Sequence, residues 1–89
     1  MLIPIYTRQF AKDLKRIGNR GKKSGKIKNA ITNLVNEIPL DVKYRDHKLI
    51  GNYKNRRGCH IEPDWLLIYK KTSDEIIFER TGTHSDLFD

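Results

Sequence analysis

Cysteine is almost absent from this 89-residue chain: the single Cys59 excludes an intramolecular disulfide and a thiolate cluster for a structural metal, and suits a reducing compartment. Long apolar runs are also missing. Nothing approaches the roughly 20 consecutive apolar residues needed to cross a bilayer, and no membrane association is expected. The opening MLIPIYTRQF lacks a basic stretch followed by an apolar one, so no secretory leader is expected and the cytoplasm is the expected location. Hydrophobic residues make up 37% of the chain against 33% charged. One small core in one domain, residues 1–89, is therefore expected, with a thin layer of helices on one face of a sheet.

Acidic residues are scarce in the front of the chain. Met1 to Gly58 holds 15 Lys and Arg against 4 Asp and Glu, whereas Cys59 to Asp89 holds 3 against 7, for net charges of +11 and −4. A basic front half attracts a polyanion, and phosphate contacts with RNA or DNA fit that asymmetry. Solubility is the other use of such a surface.

Leu2, Ile3, Ile5 and Tyr6 around Pro4 read as an edge strand. Thr7 then caps a helix from Arg8 to Ile17, with Phe10, Leu14 and Ile17 at helical spacing and Gly18 closing it. Lys22 to Asn36 gives a second helix, with Ile27, Ala30, Ile31, Leu34 and Val35 on one face, packed antiparallel against the first. Three strands follow, at Tyr53 to Glu62, Trp65 to Lys71 and Glu75 to Thr81, joined by tight turns as an antiparallel meander. In the first, Cys59 and Ile61 face the helices and His60 lies on the open face. The tail Gly82 to Asp89 is expected to form no further element. The fold class is α+β: an N-terminal strand and helical hairpin on one face of a small antiparallel sheet.

The three histidines, His47, His60 and His84, all fall in the second half. Histidine gives and takes protons near neutral pH, and cleavage of RNA through its own 2′-hydroxyl needs one base and one acid. A shared site competes here with three unrelated surface residues. Asp64, after Pro63, is placed to approach His60 across the hairpin end, or simply to bond the turn backbone. Arg80, in register with Ile76 and Phe78, points toward the apolar side and needs an anion: a phosphate, or an ion pair with Asp64 or Glu62. Trp65 serves as core packing or a base platform, and Phe88 as an anchor for the tail or a stacking surface for an unpaired base. Lys48, Lys54, Arg56 and Arg57 lead into His60 and suit phosphate positioning. No paired-ligand motif such as HxxxH or CxxC occurs, so neither metal nor cofactor is expected.

Three blocks carry a resemblance: His47-Lys-Leu-Ile-Gly-Asn-Tyr-Lys, Cys59-His60-Ile-Glu-Pro-Asp64-Trp65-Leu-Leu-Ile-Tyr69, and Arg80-Thr-Gly-Thr-His84-Ser-Asp-Leu-Phe88. Together they resemble the YafQ branch of the RelE/ParE toxin superfamily over about half the chain. The resemblance implies a RelE-like microbial ribonuclease fold and a toxin of a type II toxin-antitoxin system. Such a toxin cleaves mRNA at the ribosome and is neutralised by a cognate antitoxin with an acidic or disordered segment. It implies His47, His60, Asp64 and His84 as the catalytic set, with Arg80, Trp65 and Phe88 in support. His84 is the expected general acid and Asp64 the general base, with His47 and His60 holding the phosphate. The alternatives are a non-catalytic relative of the ParE type, which binds DNA gyrase, and a plain basic nucleic-acid-binding module.

Overall fold

The computed structural model describes residues 1–88, which form β1 (Ile3–Tyr6), α1 (Arg8–Asn19), α2 (Ser24–Val35), β2 (His47–Lys48), β3 (Arg57–Glu62), β4 (Trp65–Lys71), β5 (Glu75–Gly82) and α3 (His84–Phe88). The strands make one sheet in the order β1-β5-β4-β3-β2. The α+β architecture matches the expectation, with one topological difference: β1 runs parallel to β5, Ile3 opposite Glu75 and Tyr6 opposite Phe78, while the other pairs are antiparallel. A parallel pair needs a long crossover, and the helical hairpin provides the start of it.

Thr7 caps α1 as expected, its Oγ1 accepting from the Phe10 N–H at 3.0 Å. The same hydroxyl reaches the carbonyls of Phe78 and Glu79, which fixes the entry of α1 against β5. The helix runs on to Asn19, because Gly21 (φ 89°) and not Gly18 takes the left-handed conformation that ends it. Lys22 still belongs to that turn, its N–H bonding the Ile17 carbonyl, so α2 starts at Ser24 rather than Lys22.

Phe10, Ile17, Ile27, Ala30 and Val35 of the helices bury against Cys59, Ile61, Trp65, Leu67, Tyr69, Ile76 and Phe78 of the sheet. Each such large apolar side chain contributes about 1.5–3 kcal/mol by leaving water. Burial also pushes the Cys59 thiol up to about 12, so it stays protonated at neutral pH. The opposite face of the sheet has its own smaller cluster of Leu66, Ile68 and Leu87, flanked by Leu49 and Tyr53. Leu87 belongs to α3, so the tail forms an element where none was expected. Thr83-His84-Ser85-Asp86 closes reciprocally: Thr83 Oγ1 accepts from the Asp86 N–H and an Asp86 oxygen accepts from the Thr83 N–H, the two halves of a capping box.

Two further departures shape the site. Residues Gly51–Tyr53 form a 3₁₀ turn, so β3 begins at Arg57 instead of Tyr53, and His47 gains a short strand of its own opposite Gly58. In β5 the register jumps from Ile68 opposite Arg80 to Tyr69 opposite Phe78, a bulge that reverses which face the following side chains take.

Candidate active site

His47 sits opposite Gly58, and His60 lies two residues further along β3 on the same face. Their rings stack with centroids 6.3 Å apart and planes inclined by 26°. Gly58 makes room for Leu49, whose Cδ2 lies 3.2 Å from where a Cβ would stand. Each histidine is oriented by a backbone carbonyl, His47 Nδ1 at 2.6 Å from the Arg45 oxygen and His60 Nδ1 at 3.2 Å from that of Pro63. A carbonyl can only accept, so both Nδ1 atoms carry the proton. Nε2 is then an acceptor in the neutral ring and a donor in the imidazolium, and in both rings it is the nitrogen left for a ligand.

Asp64 and His84 meet on the other side of the β3–β4 turn. Asp64 Oδ1 accepts from the His84 N–H at 2.9 Å, which leaves its second oxygen exposed. The His84 ring is exposed and packs on Phe88 at 5.0 Å, and Phe88 meets Tyr53 edge-on at 5.4 Å. Tyr53 donates from its hydroxyl to the Leu87 carbonyl at 3.1 Å, a second tie on the last turn. Contacts thus run from the His47 ring to the His60 ring and from His60 to the Pro63 carbonyl, while the next residue, Asp64, holds the backbone of His84.

Asp86 anchors α3 to α1. Its oxygens accept from Arg20 at 2.7 and 3.2 Å, with Arg16 at 3.9 Å. Only Gly82 tolerates this approach, since a Cβ there would lie 2.9 Å from Asp86 Oδ2. Arg20, the Thr83 backbone and Arg16 hold the Asp86 carboxyl far below the usual carboxylate range. A depressed pKa stabilises the fold fully above the unfolded value and loses that contribution as pH falls through the folded one. We therefore expect α3 to stay docked at pH 4 and to detach at lower pH. In Asp86→Asn it should be loose already at neutral pH. Amide exchange of residues 83–88 reads both, and equal protection in the variant would contradict the anchor.

Several expected placements are overturned. His60 and Asp64 do not pair, because Asp64 turns to the α3 backbone. Arg80 does not follow Ile76 and Phe78 to the apolar side, because the bulge at Glu79 intervenes. Its partner is neither Asp64 nor Glu62 but Asp13, at 2.6 Å from Nε and 3.3 Å from Nη2, with Nη1 3.5 Å from the Tyr53 hydroxyl. Glu62 instead binds Lys22 and Lys26. Trp65 is 1% exposed, and its Nε1–H donates to Thr81 Oγ1, so it is a core peg rather than a surface for a base. Arg57 faces the helix side and bonds Asp46, which also accepts from the Tyr69 hydroxyl. Arg56 is engaged by Glu79 at 2.9 Å. Lys48 and Lys54 are exposed, and Phe88 is 43% exposed, so these three retain a surface for a ligand. Sequence reasoning passed over Tyr53 and Asp13; the signal for Asp13 was its place beside Phe10, Leu14 and Ile17 on the apolar stripe of α1.

The sequence model of the family described as "Bacterial toxin of type II toxin-antitoxin system, YafQ" matches residues 3–89. The mRNA interferase toxin YafQ of Escherichia coli K12 is 48% identical over 84 residues, covering 93% of this chain and 91% of that one. The crystal structure of the E. coli DinJ-YafQ complex holds a chain 44% identical with a TM-score of 0.93, each chain covered in full. A metal-bound toxin from Helicobacter pylori is 38% identical at a TM-score of 0.91, with 99% of this chain and 100% of that one covered. Here, among the described residues, no three His, Cys, Asp or Glu side chains group as a metal-holding set.

Proposed function

This chain belongs to the YafQ family of bacterial type II toxin-antitoxin toxins, and from that membership together with the site geometry we propose that it is an endoribonuclease cutting messenger RNA. The observation that carries the reading is the stacked pair His47 and His60, each held through Nδ1 so that Nε2 is left for a ligand, together with Asp64 holding the start of the helix that carries His84. The reaction needs three things: a base for the 2′-hydroxyl, an acid for the leaving 5′-oxygen, and positive charge on the phosphate between them.

The unbonded oxygen of Asp64 takes the 2′-hydroxyl proton, and the His84 ring, as imidazolium, gives one to the 5′-oxygen. His47 and His60 bind the phosphate through Nε2–H, with the Arg45 and Pro63 carbonyls accepting from Nδ1–H and so holding each ring in place. Arg80 Nη1 adds charge from the sheet edge, and Phe88 offers its ring to an unstacked base. Lys48 and Lys54 steer the strand. No cofactor takes part.

The E. coli relative forms a complex with DinJ. By the same logic this toxin is held by an antitoxin whose acidic segment lies on the basic front half. Its working place is the ribosome in the cytoplasm; no helix among the described residues is long and apolar enough to cross a membrane.

The deciding experiment adds the purified protein to a reconstituted translation reaction and determines the chemistry of the new messenger RNA ends. Attack by the 2′-oxygen yields 2′,3′-cyclic phosphates or the 3′-phosphates derived from them. Ends bearing a 3′-hydroxyl would overturn the mechanism, and intact messages with growth still arrested would favour the gyrase-binding alternative.

A further inference from the structure

β2 pairs only with Arg57 and Gly58, so the second half of β3 has no strand on its outer edge. A cleft of about 490 Å³ opens there, walled by Lys26 and Asn29 of α2, by Lys43 to Arg45, and by His60 to Pro63. Its charges are uneven. Glu62 is neutralised by Lys22 and Lys26 together. Lys43 and Arg45 have no carboxylate partner among the described residues.

Arg45 is also held in an unusual way. It takes the left-handed conformation, φ 48°, at the end of the 3₁₀ turn Val42–Tyr44, with its N–H on the Val42 carbonyl at 3.0 Å. A residue with a Cβ adopts that conformation only at a cost. Here it turns the Arg45 carbonyl onto His47 Nδ1 while Arg45 also lines the cleft that His60 lines. One residue thus orients a histidine of the pair and lines a cleft with the other.

We propose that this cleft is a second phosphodiester subsite, binding a substrate RNA phosphate adjacent to the scissile one through Lys43 and Arg45, with Lys26 behind them. The proposal rests on the ribonuclease reading and extends its binding surface to the α2 side of His60. Two cations in a concave site bind a phosphodiester by charge and by the guanidinium fork, which adds affinity and a fixed strand path without reading sequence.

The test measures binding of a 2′-O-methyl RNA oligonucleotide, which keeps every phosphodiester and lacks the attacking hydroxyl, to the full chain and to Lys43→Gln/Arg45→Gln. A Lys12→Gln/Lys15→Gln variant loses the same charge from exposed positions of α1. The cleft variant should bind about tenfold more weakly, with the slope of log K on log salt reduced by roughly 0.7, one single-strand phosphate contact. The α1 variant should lose less than threefold, and in cleavage the cleft variant's loss should fall on KM rather than kcat. Equal losses in the two variants, or none in the cleft variant, while the parent still cuts messages, would overturn the subsite and leave the ribonuclease reading standing. A parent that neither binds nor cuts RNA would overturn both.

Discussion

Replacing His84 with alanine should slow messenger RNA cleavage by about 10²–10⁴-fold, the usual contribution of a positioned proton donor, while leaving the unfolding midpoint nearly in place. The separation is expected because the His84 ring is exposed and touches Phe88 alone among the aromatic rings. The part of His84 that holds the fold is its backbone N–H on Asp64, which alanine keeps. Exposed substitutions of this kind shift stability by less than about 0.5 kcal/mol. Asp64→Ala is the less discriminating variant. It removes the proposed base and also the acceptor at the first turn of α3, where the loss of a capping carboxylate costs about 1 kcal/mol. Single-turnover cleavage and denaturant unfolding of His84→Ala, measured side by side, decide the matter. A rate within threefold of the parent would remove His84 from the chemistry and pass the acid role to His47 or His60.

How much of this was legible in the sequence depends on how local each signal is. Phe10, Leu14 and Ile17 announce α1 because helical periodicity repeats within a few residues, and Thr7 caps it as its type suggests. The parallel pairing of β1 with β5 joins residues about seventy positions apart and leaves no local trace. β2 has two residues, too few for alternation to show, so the sequence assigns His47 no strand and no face. α3 is short as well, yet its signature was present: Thr83 followed three residues later by Asp86 is the reciprocal cap that stops the tail from dangling. The proposed catalytic four were legible as residue types and motif blocks, but not their pairing. Which carboxylate meets which histidine depends on the β3–β4 turn and on α3 folding back to Asp64. Arg80 was misplaced for a definite reason: strict alternation puts it with Ile76 and Phe78, and the bulge at Glu79 breaks that alternation by one residue.

Asp13→Ala should cost about 3–5 kcal/mol, the largest stability loss expected from any single polar substitution here. Domains of this size are held by roughly 0.05–0.15 kcal/mol per residue, so the variant would sit close to unfolding. The Asp13 carboxylate is 1% exposed and satisfies five donors: Arg80 Nε and Nη2, the Thr81 N–H at 3.2 Å, Gln9 at 3.0 Å and Arg16 at 3.4 Å. It ties α1 to β5 where β1 has ended and no strand covers the sheet edge. Removing it leaves a half-buried guanidinium and a buried N–H without their acceptor, which is the costly way to break such a pair. Removing both charges with Asp13→Leu/Arg80→Met should recover most of the loss, because the cavity is refilled and no charge is stranded. The recovered fold should nevertheless cleave poorly, since Arg80 Nη1 beside Tyr53 is gone. Urea unfolding of the two single variants and the double variant gives the coupling energy directly. Additive losses, with no recovery in the double variant, would mean that Asp13 acts through the Thr81 backbone and Gln9 alone and that Arg80 is held by something other than this carboxylate.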